Sequence, residues 1–234
     1  MQKFRTVILL LIIACVNHCL LSQDNSEIFD ENKFKAYAKM LKSDGEEIIL
    51  KQDHDPSQIN EYGNNTITEK LFRNTKSGNE IYYTGAECRG GGIFWIDRNG
   101  KKTIILETYI RYGPRVIWHD RDTIEICLPT GSPFTHSYFY DFKNGALSDR
   151  YDFPVYYDAD NKVLLIWGKE DFELYDIKNN QLIKQYNYRR QHQMTAAWPY
   201  INYYIEKENL MIILYYDDWM NRKQGKLAFN ISGR

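Results

Sequence analysis

This chain has little of what reactive or charge-driven proteins use. Its 234 residues hold four cysteines, and none forms a Cys-x-x-Cys pair, which excludes a thiol redox site or a zinc knuckle. Thirty basic side chains against thirty-one acidic leave a net charge of -1, so there is no basic field to gather nucleic acid or anionic lipid. "TGSPFTHSY" contains Ser132, His136 and Ser137, but there is no Gly-x-Ser-x-Gly elbow, and Ser132 before Pro133 reads as loop punctuation. Gly90 to Gly92 precede Ile93 with no Lys-Ser/Thr after them, which removes a phosphate cradle.

Metal and general-base motifs fail in the same way. "DADNK" opens like a calcium loop, yet counting from Asp158 puts Val163 at the sixth position and Lys169 at the twelfth, where Gly and Glu are required. Asp53, His54 and Asp55 are three consecutive residues of "KQDHDP" and read as a surface stretch. "WHDRD" sets His119 among Asp120 and Asp122, at a position where a hairpin tip selects Asp for bonds to its own backbone. No catalytic residue, cofactor or metal site is expected.

What the chain does have is tyrosine, in nineteen copies within 15% aromatics, which favours pleated, half-buried surfaces. It also has a leader. Lys3 and Arg5 precede "TVILLLIIACV", an eleven-residue apolar run followed by polar "SQDNS", the order of a secretory leader and well short of the ~20 residues a spanning helix needs. Cleavage after Ser22 releases residues 23 onward. Alternatively "IIAC" is similar to a bacterial lipobox, which makes Cys15 the lipid-bearing new N-terminus and 1–14 the leader. Cutting after Ser22 leaves Cys88 and Cys127 as one candidate disulfide, worth about 4 kcal/mol for a loop of roughly 40 residues. Two buried free thiols are the alternative.

Residues 23–65 read as an N-terminal helix, a short strand and a loop. Phe34, Tyr37, Ala38 and Leu41 make an apolar stripe over 27–42, with Gly45 placed to end the helix. "EEIILKQ" is the strand. From Thr66 onward the sequence is strands and tight tips. "YFYDFKNGALSD" and "ELYDIKNNQLIKQY" repeat one hairpin, "FWIDRNGKKTIIL" is a third and "RKQGKLAFNI" a fourth, with second tip residues Gly100, Gly145, Asn180 and Gly225, types that tolerate the positive φ of two-residue turns. A second hairpin recurs between them, since "VIWHDRDTIEICL" (116–128) aligns without a gap on "VYYDADNKVLLIW" (155–167), and 201–216 and 66–85 have the same shape. The domain 66–234 therefore reads as a double hairpin of about 42 residues written four times.

A repeat of this length resembles the blade of a β-propeller. "LYDIKNNQLIKQY" in particular is similar to the outer hairpin of WD40-like and quinoprotein-like blades, although the Gly-His and Trp-Asp signatures are absent. The resemblance implies a mainly β, four-bladed or incomplete propeller-like array with one N-terminal helix; a β-sandwich or irregular β-meander is the alternative. "VLLIW" and "LMIILYY" are unbroken apolar runs, and antiparallel strands of that kind need cover on both faces.

Surface aromatics are the remaining candidates for function. Tyr186, Tyr188, Arg189, Arg190, Trp198 and Tyr200 lie on one long connection, and Trp219 sits in "YYDDWM"; Tyr, Trp and Arg are the side chains that anchor interfaces. Core filling between sheets is the competing role for these rings. The expectation is an exported, non-enzymatic module that holds another protein, one version being an envelope protein that neutralises a toxin, as periplasmic immunity proteins do. The alternatives are a glycan-binding or glycan-cleaving secreted protein, with Asp158 and Asp217 as carboxylate candidates, and a structural envelope lipoprotein. Nucleic acid is not an expected partner, and a membrane only through a lipid anchor at Cys15.

Overall fold

Alternating aromatic and β-branched runs separated by Asp/Asn/Gly tips produce antiparallel meanders in the computed structural model, which describes residues 28–40, 44–54, 66–131, 134–168, 171–192 and 201–232. The first sheet is β1 (Gly45–His54), β2 (Thr66–Asn74), β3 (Glu80–Ala86), β4 (Gly90–Arg98) and β5 (Lys101–Ile110), in that order. The second holds β6 (Arg115–Trp118), β7 (Thr123–Gly131) and β8 (Phe134–Asp141), with the short β9 (Ala146–Leu147) and β10 (Tyr151–Asp152) both paired to β8. The third is β11 (Pro154–Asp158), β12 (Val163–Trp167), β13 (Phe172–Asp176) and β14 (Gln181–Tyr186). The fourth is β15 (Ile201–Glu208), β16 (Met211–Asp218) and β17 (Lys223–Asn230).

The chain is thus mainly β with antiparallel sheets, but the propeller expectation needs correction. Among the described residues there are four separate open sheets of five, five, four and three strands, not a closed ring of matched blades, and the arrangement fits at most the alternative of a β-sandwich or irregular β-meander. A ring closes only if its first and last sheets bury each other. Among the described residues one apolar cluster joins the first and second sheets, one the second and third, and one the third and fourth, and none joins the fourth to the first. None of the described helices is long and apolar enough to cross a membrane. The leader and Cys15 lie outside the described residues.

Every residue of β12, "VLLIW", is buried. Val163, Leu165 and Trp167 face the fourth sheet's Leu214, Leu227 and Phe229, while Leu164 and Ile166 face Phe139 and Tyr151 of the second, as a run without polar alternation requires. β16 behaves differently. Its residues alternate between buried and half-buried, so "LMIILYY" has one fully covered face. Tyr215 on its other side stacks on Tyr204 at 4.8 Å, and Phe29 lies 5.4 Å from Tyr204. The helix α1 (Glu31–Met40) is shorter than the 27–42 expected and starts at Asp30, whose Oδ1 accepts from the Asn32 and Lys33 amides. Gly45 does not cap it. Gly45 begins β1 against the Trp118 ring, where a Cβ would stand 2.6 Å from Cδ1.

The tips are of two kinds. Asn99 and Gly100 both have positive φ, 56° and 78°, the two-residue turn expected. At 141–145 and 176–180 the turn is longer: Asp accepts from two backbone amides and from the Asn side chain three residues on, and the next residue, Gly145 or Asn180, is left-handed. The same Asp-x-x-Asn clamp closes 158–162 and 218–222, with Lys162 and Arg222 left-handed. Gln224 and Gly225 are therefore not a tip but part of β17. The glycine answers to Tyr216 opposite it, whose Oη would lie 2.6 Å from an added Cβ.

The three glycines of "ECRGGGIF" begin β4 rather than forming a turn. Gly92 pairs with Gly85, and the buried Tyr83 ring lies over both. A Cβ on Gly92 would meet Tyr83 Cε2 at 2.6 Å and Ile110 Cγ1 at 2.7 Å, whereas one on Gly91 meets nothing within 4 Å. Gly92→Ala should therefore lower stability by about 1–3 kcal/mol through overpacking, and Gly91→Ala should not. Urea unfolding of the two variants checks this; equal midpoints would contradict the packing assignment.

Candidate functional site

The strands that begin the second, third and fourth sheets enclose a cavity of about 730 Å³, walled by residues of β6 to β8, β11, β15 and α1. Its wall holds a buried carboxylate, Glu125. Glu125 lies in "TIEICL", a run in which every residue is buried, and is itself 6% exposed. An ionised carboxylate survives burial only with donors around it. Three are supplied: His119 Nε2 lies 2.8 Å from Oε2, Ser137 Oγ donates to Oε1 at 2.7 Å, and Cys127 Sγ donates to the same oxygen at 3.2 Å. Burial opposes ionisation of Glu125, but these contacts, His119 foremost, outweigh it and hold the carboxyl below the ordinary carboxylate range.

The geometry gives His119 a partner that sequence did not assign. Its carboxylate is Glu125 across the β6–β7 hairpin, not Asp120, which caps the tip by accepting from the Asp122 and Thr123 amides. The available clue was a lone acid inside an apolar strand. Chemically the set is a locked knot. Ser137 donates its proton to Glu125 Oε1 and is one of the donors that hold the carboxylate in place. Burial, then the Glu125 charge, push the Cys127 thiol up, away from thiolate. Among the described residues no group of three or more His, Cys, Asp or Glu side chains is placed to hold a metal ion.

The disulfide expectation is corrected here. Cys88 and Cys127 are both free. Cys127 is committed to Glu125 in the second sheet, while Cys88, in the β3–β4 turn of the first, donates to the Arg111 carbonyl at 3.2 Å. Of the carboxylates considered for glycan cleavage, Asp158 is buried and takes both the Asn161 clamp and Lys207 Nζ at 2.7 Å. Asp217 lies on β16 between Asn202 and Gln224.

The aromatic candidates divide. Tyr186 ends β14 and is 6% exposed, its ring 4.9 Å from Phe229 and its hydroxyl donating to the Asn230 carbonyl. Tyr188 packs on the same Phe229 and donates to the Ala228 carbonyl at 2.6 Å. The Arg189 guanidinium stands 4.5 Å from the Trp167 ring centre. Tyr186 and Tyr188 thus join the third sheet to the fourth, and Arg189 lies against the third sheet's own Trp167, the core-filling role and not a presented surface. The short helix α2 (Tyr188–Gln191) includes Arg190, of whose side chain nothing is described; Trp198 and Tyr200 lie outside the described residues. Trp219 alone of the described candidates is presented outward, 54% exposed beside Met220 at 56%.

Removing the carboxylate leaves three buried donors unsatisfied, so Glu125→Ala should cost about 2–4 kcal/mol. Because Glu125 is depressed in the folded state, its contribution is complete above the unfolded carboxylate value of about 4.3 and is lost as pH falls through the lower folded value. Chemical unfolding from pH 7 down to 3 should show the gap between wild type and Glu125→Gln closing at the acid end. A gap that stays constant would contradict an ionised Glu125.

No protein-family model matches the chain, and no curated protein matches it. Among solved structures it is similar to the 1.18 Å crystal structure of uncharacterized protein lmo1340 from Listeria monocytogenes EGD-e, with 16% identity and a TM-score of 0.28 over 69% of this chain. The match spans about half, 51%, of that protein.

Proposed function

We propose that the chain is an exported, non-enzymatic module that binds another protein, with the Trp219-Met220 turn as its principal contact. One observation carries this reading. Asp218, fully buried, accepts from the Asn221 amide at 3.1 Å and from its side-chain nitrogen at 2.8 Å. That clamp fixes the two residues between them, and these are a tryptophan and a methionine, both more than half exposed. The equivalent central pairs elsewhere are Phe142-Lys143, Ala159-Asp160 and Ile177-Lys178. Large apolar groups held rigidly in water have a low ordering cost on association, which favours their use as interface anchors.

The locked Glu125 knot supports a binding role over a catalytic one, and the leader supports placement outside the cytoplasm. An envelope protein of the immunity or inhibitor type is the version that combines both. The reading also takes the hairpins 116–128 and 155–167 as copies of one ancestral unit, supported by their gapless alignment and by each one's position opening its sheet.

A photoreactive phenylalanine analogue placed at Trp219 and activated in the producing cell should capture a defined partner protein, while the same group at exposed Lys101 on β5 should not. Trp219→Ala should then weaken binding of that purified partner by roughly 30-fold or more. Failure to capture any protein at Trp219, or an unchanged affinity in the alanine variant, would overturn the reading.

A further inference from the structure

The cavity beside Glu125 has a chemistry of its own, independent of the Trp219 turn, which does not line it. Its volume of about 730 Å³ lies within the ~300–1,000 Å³ typical of small-molecule sites. Every carboxylate in its lining already has a basic partner. Lys76 meets Asp44 at 2.8 Å, Lys162 reaches Asp120 at 3.5 Å, Lys207 holds both Asp158 and Asp160 at 2.7 and 2.8 Å, and His119 lies 2.8 Å from Glu125. Among the described residues the charged lining group without a partner is a cation, the guanidinium of Arg115.

Arg115 stands on β6 directly opposite Cys127 of β7, and opposed residues share one face of a sheet, so it projects to the cavity side together with Cys127 and Glu125. It is also exposed, which puts it where the cavity meets solvent. Burial and then Glu125 push the Cys127 thiol up, and the Arg115 charge is near enough to oppose them. Tyr203 of β15 borders the same thiol, since burial, then Glu125 and Cys127, push its phenol up. Tyr37 of α1 and Tyr156 of β11 continue this aromatic wall: burial first, then Tyr203 and Tyr156, push the Tyr37 phenol up.

The spare hydrogen-bonding capacity matches the spare charge. Tyr203 donates to the Val155 carbonyl at 3.1 Å, but among the described residues the Tyr37 and Tyr156 hydroxyls have no hydrogen-bond partner. Burial raises both phenols and so keeps their protons available to donate. Arg115 adds N–H donors and no acceptor. A guanidinium takes a carboxylate through two parallel hydrogen bonds, and the tyrosine faces beside it suit an apolar body.

We propose that this cavity binds a small organic acid, its carboxylate paired with Arg115 at the mouth and its apolar body seated against Tyr37, Tyr156 and Tyr203. Recognition is non-covalent and no bond is made or broken. The hydroxyls of Tyr37 and Tyr156 donate to acceptor atoms of the ligand.

Isothermal titration of the full chain with 3-phenylpropanoate, and in parallel with its uncharged amide, tests this directly, in about 0.15 M salt so that diffuse attraction is screened. The acid should give a saturable isotherm with a dissociation constant of about 1 mM or lower, and the amide should bind about tenfold more weakly or worse. Arg115→Gln, at an exposed position, should weaken binding of the acid about tenfold or more, and Tyr37→Leu should do the same by removing part of the aromatic wall. If Tyr37→Leu does not fold, Tyr156→Leu takes its place. No saturable binding of the acid, equal binding of acid and amide, or an unchanged affinity in Arg115→Gln would each overturn the proposal. So would a loss confined to Arg115→Gln with the tyrosine variant unaffected, which would mark an ion pair at the surface and not an occupied cavity. Trp219→Ala should bind the acid unchanged, which separates this site from the protein-binding reading.

Discussion

The cover required on both faces of β12 is the constraint on which the rest of the architecture depends. A five-residue strand with no exposed side chain cannot lie at the outside of a two-layer protein, so the third sheet must sit between two others. The alternation of its side chains then divides the core: Val163, Leu165 and Trp167 join the fourth sheet, Leu164 and Ile166 the second. The outer sheets can be less demanding. β16 has one fully buried face, and β5 is largely open along its length. Cover on both faces is thus demanded of β12, while β16 and β5 lie where one face or more meets solvent.

Apolar contact alone would let neighbouring sheets slide, because it is not directional. Registration comes from the tips of the first hairpins. Asn74, Ser77 and Asn79 donate to the Asp120 and Arg121 carbonyls, Lys162 reaches Thr123 at 2.8 Å, and Lys207 reaches Asp158 at 2.7 Å. Each bridge runs from one sheet to the next. Several are anchored on Asx clamps, so that Asp120 and Asp158 serve two purposes: one carboxylate oxygen shapes the local turn and the charge also meets a lysine of the following sheet. The lysine pairs are partly exposed and individually weak; the bridges to backbone carbonyls add direction more than energy.

The pattern of legibility follows from distance along the chain. Hairpins were readable because strand, tip and strand are contiguous and the tip residues have a local reason to be Asp, Asn or Gly. Even there, glycine was ambiguous. Gly100 answers to backbone φ, while Gly92 and Gly225 answer to tyrosine rings on the partner strands, a cause that leaves no local trace. Tyr186 and Tyr188 looked like interface anchors because nothing nearby in sequence announces Phe229, some forty residues later, as the ring they pack on. Of the candidate site, His119 was visible but its partner was not, since adjacent aspartates are more conspicuous than a glutamate six positions on inside an apolar strand. Helix α1 was found, but its place along β15, and hence Tyr37 in the cavity wall, depends wholly on tertiary packing.

Glu125 also bears on why the cavity exists in a protein otherwise packed with rings. A buried ion with its hydrogen bonds satisfied is commonly no more stabilising than a well-fitted aliphatic side chain. Its retention therefore needs a reason other than stability. The carboxylate ties the end of β6, through His119, to β7 and, through Ser137, to β8, and so fixes three strands of the second sheet at the point where that sheet turns toward the third and fourth. An aliphatic residue at this position would favour collapse of the tyrosines onto it. The carboxylate's hydrogen bonds go instead to His119, Ser137 and Cys127, and Tyr37, Tyr156 and Tyr203 line the cavity beside it.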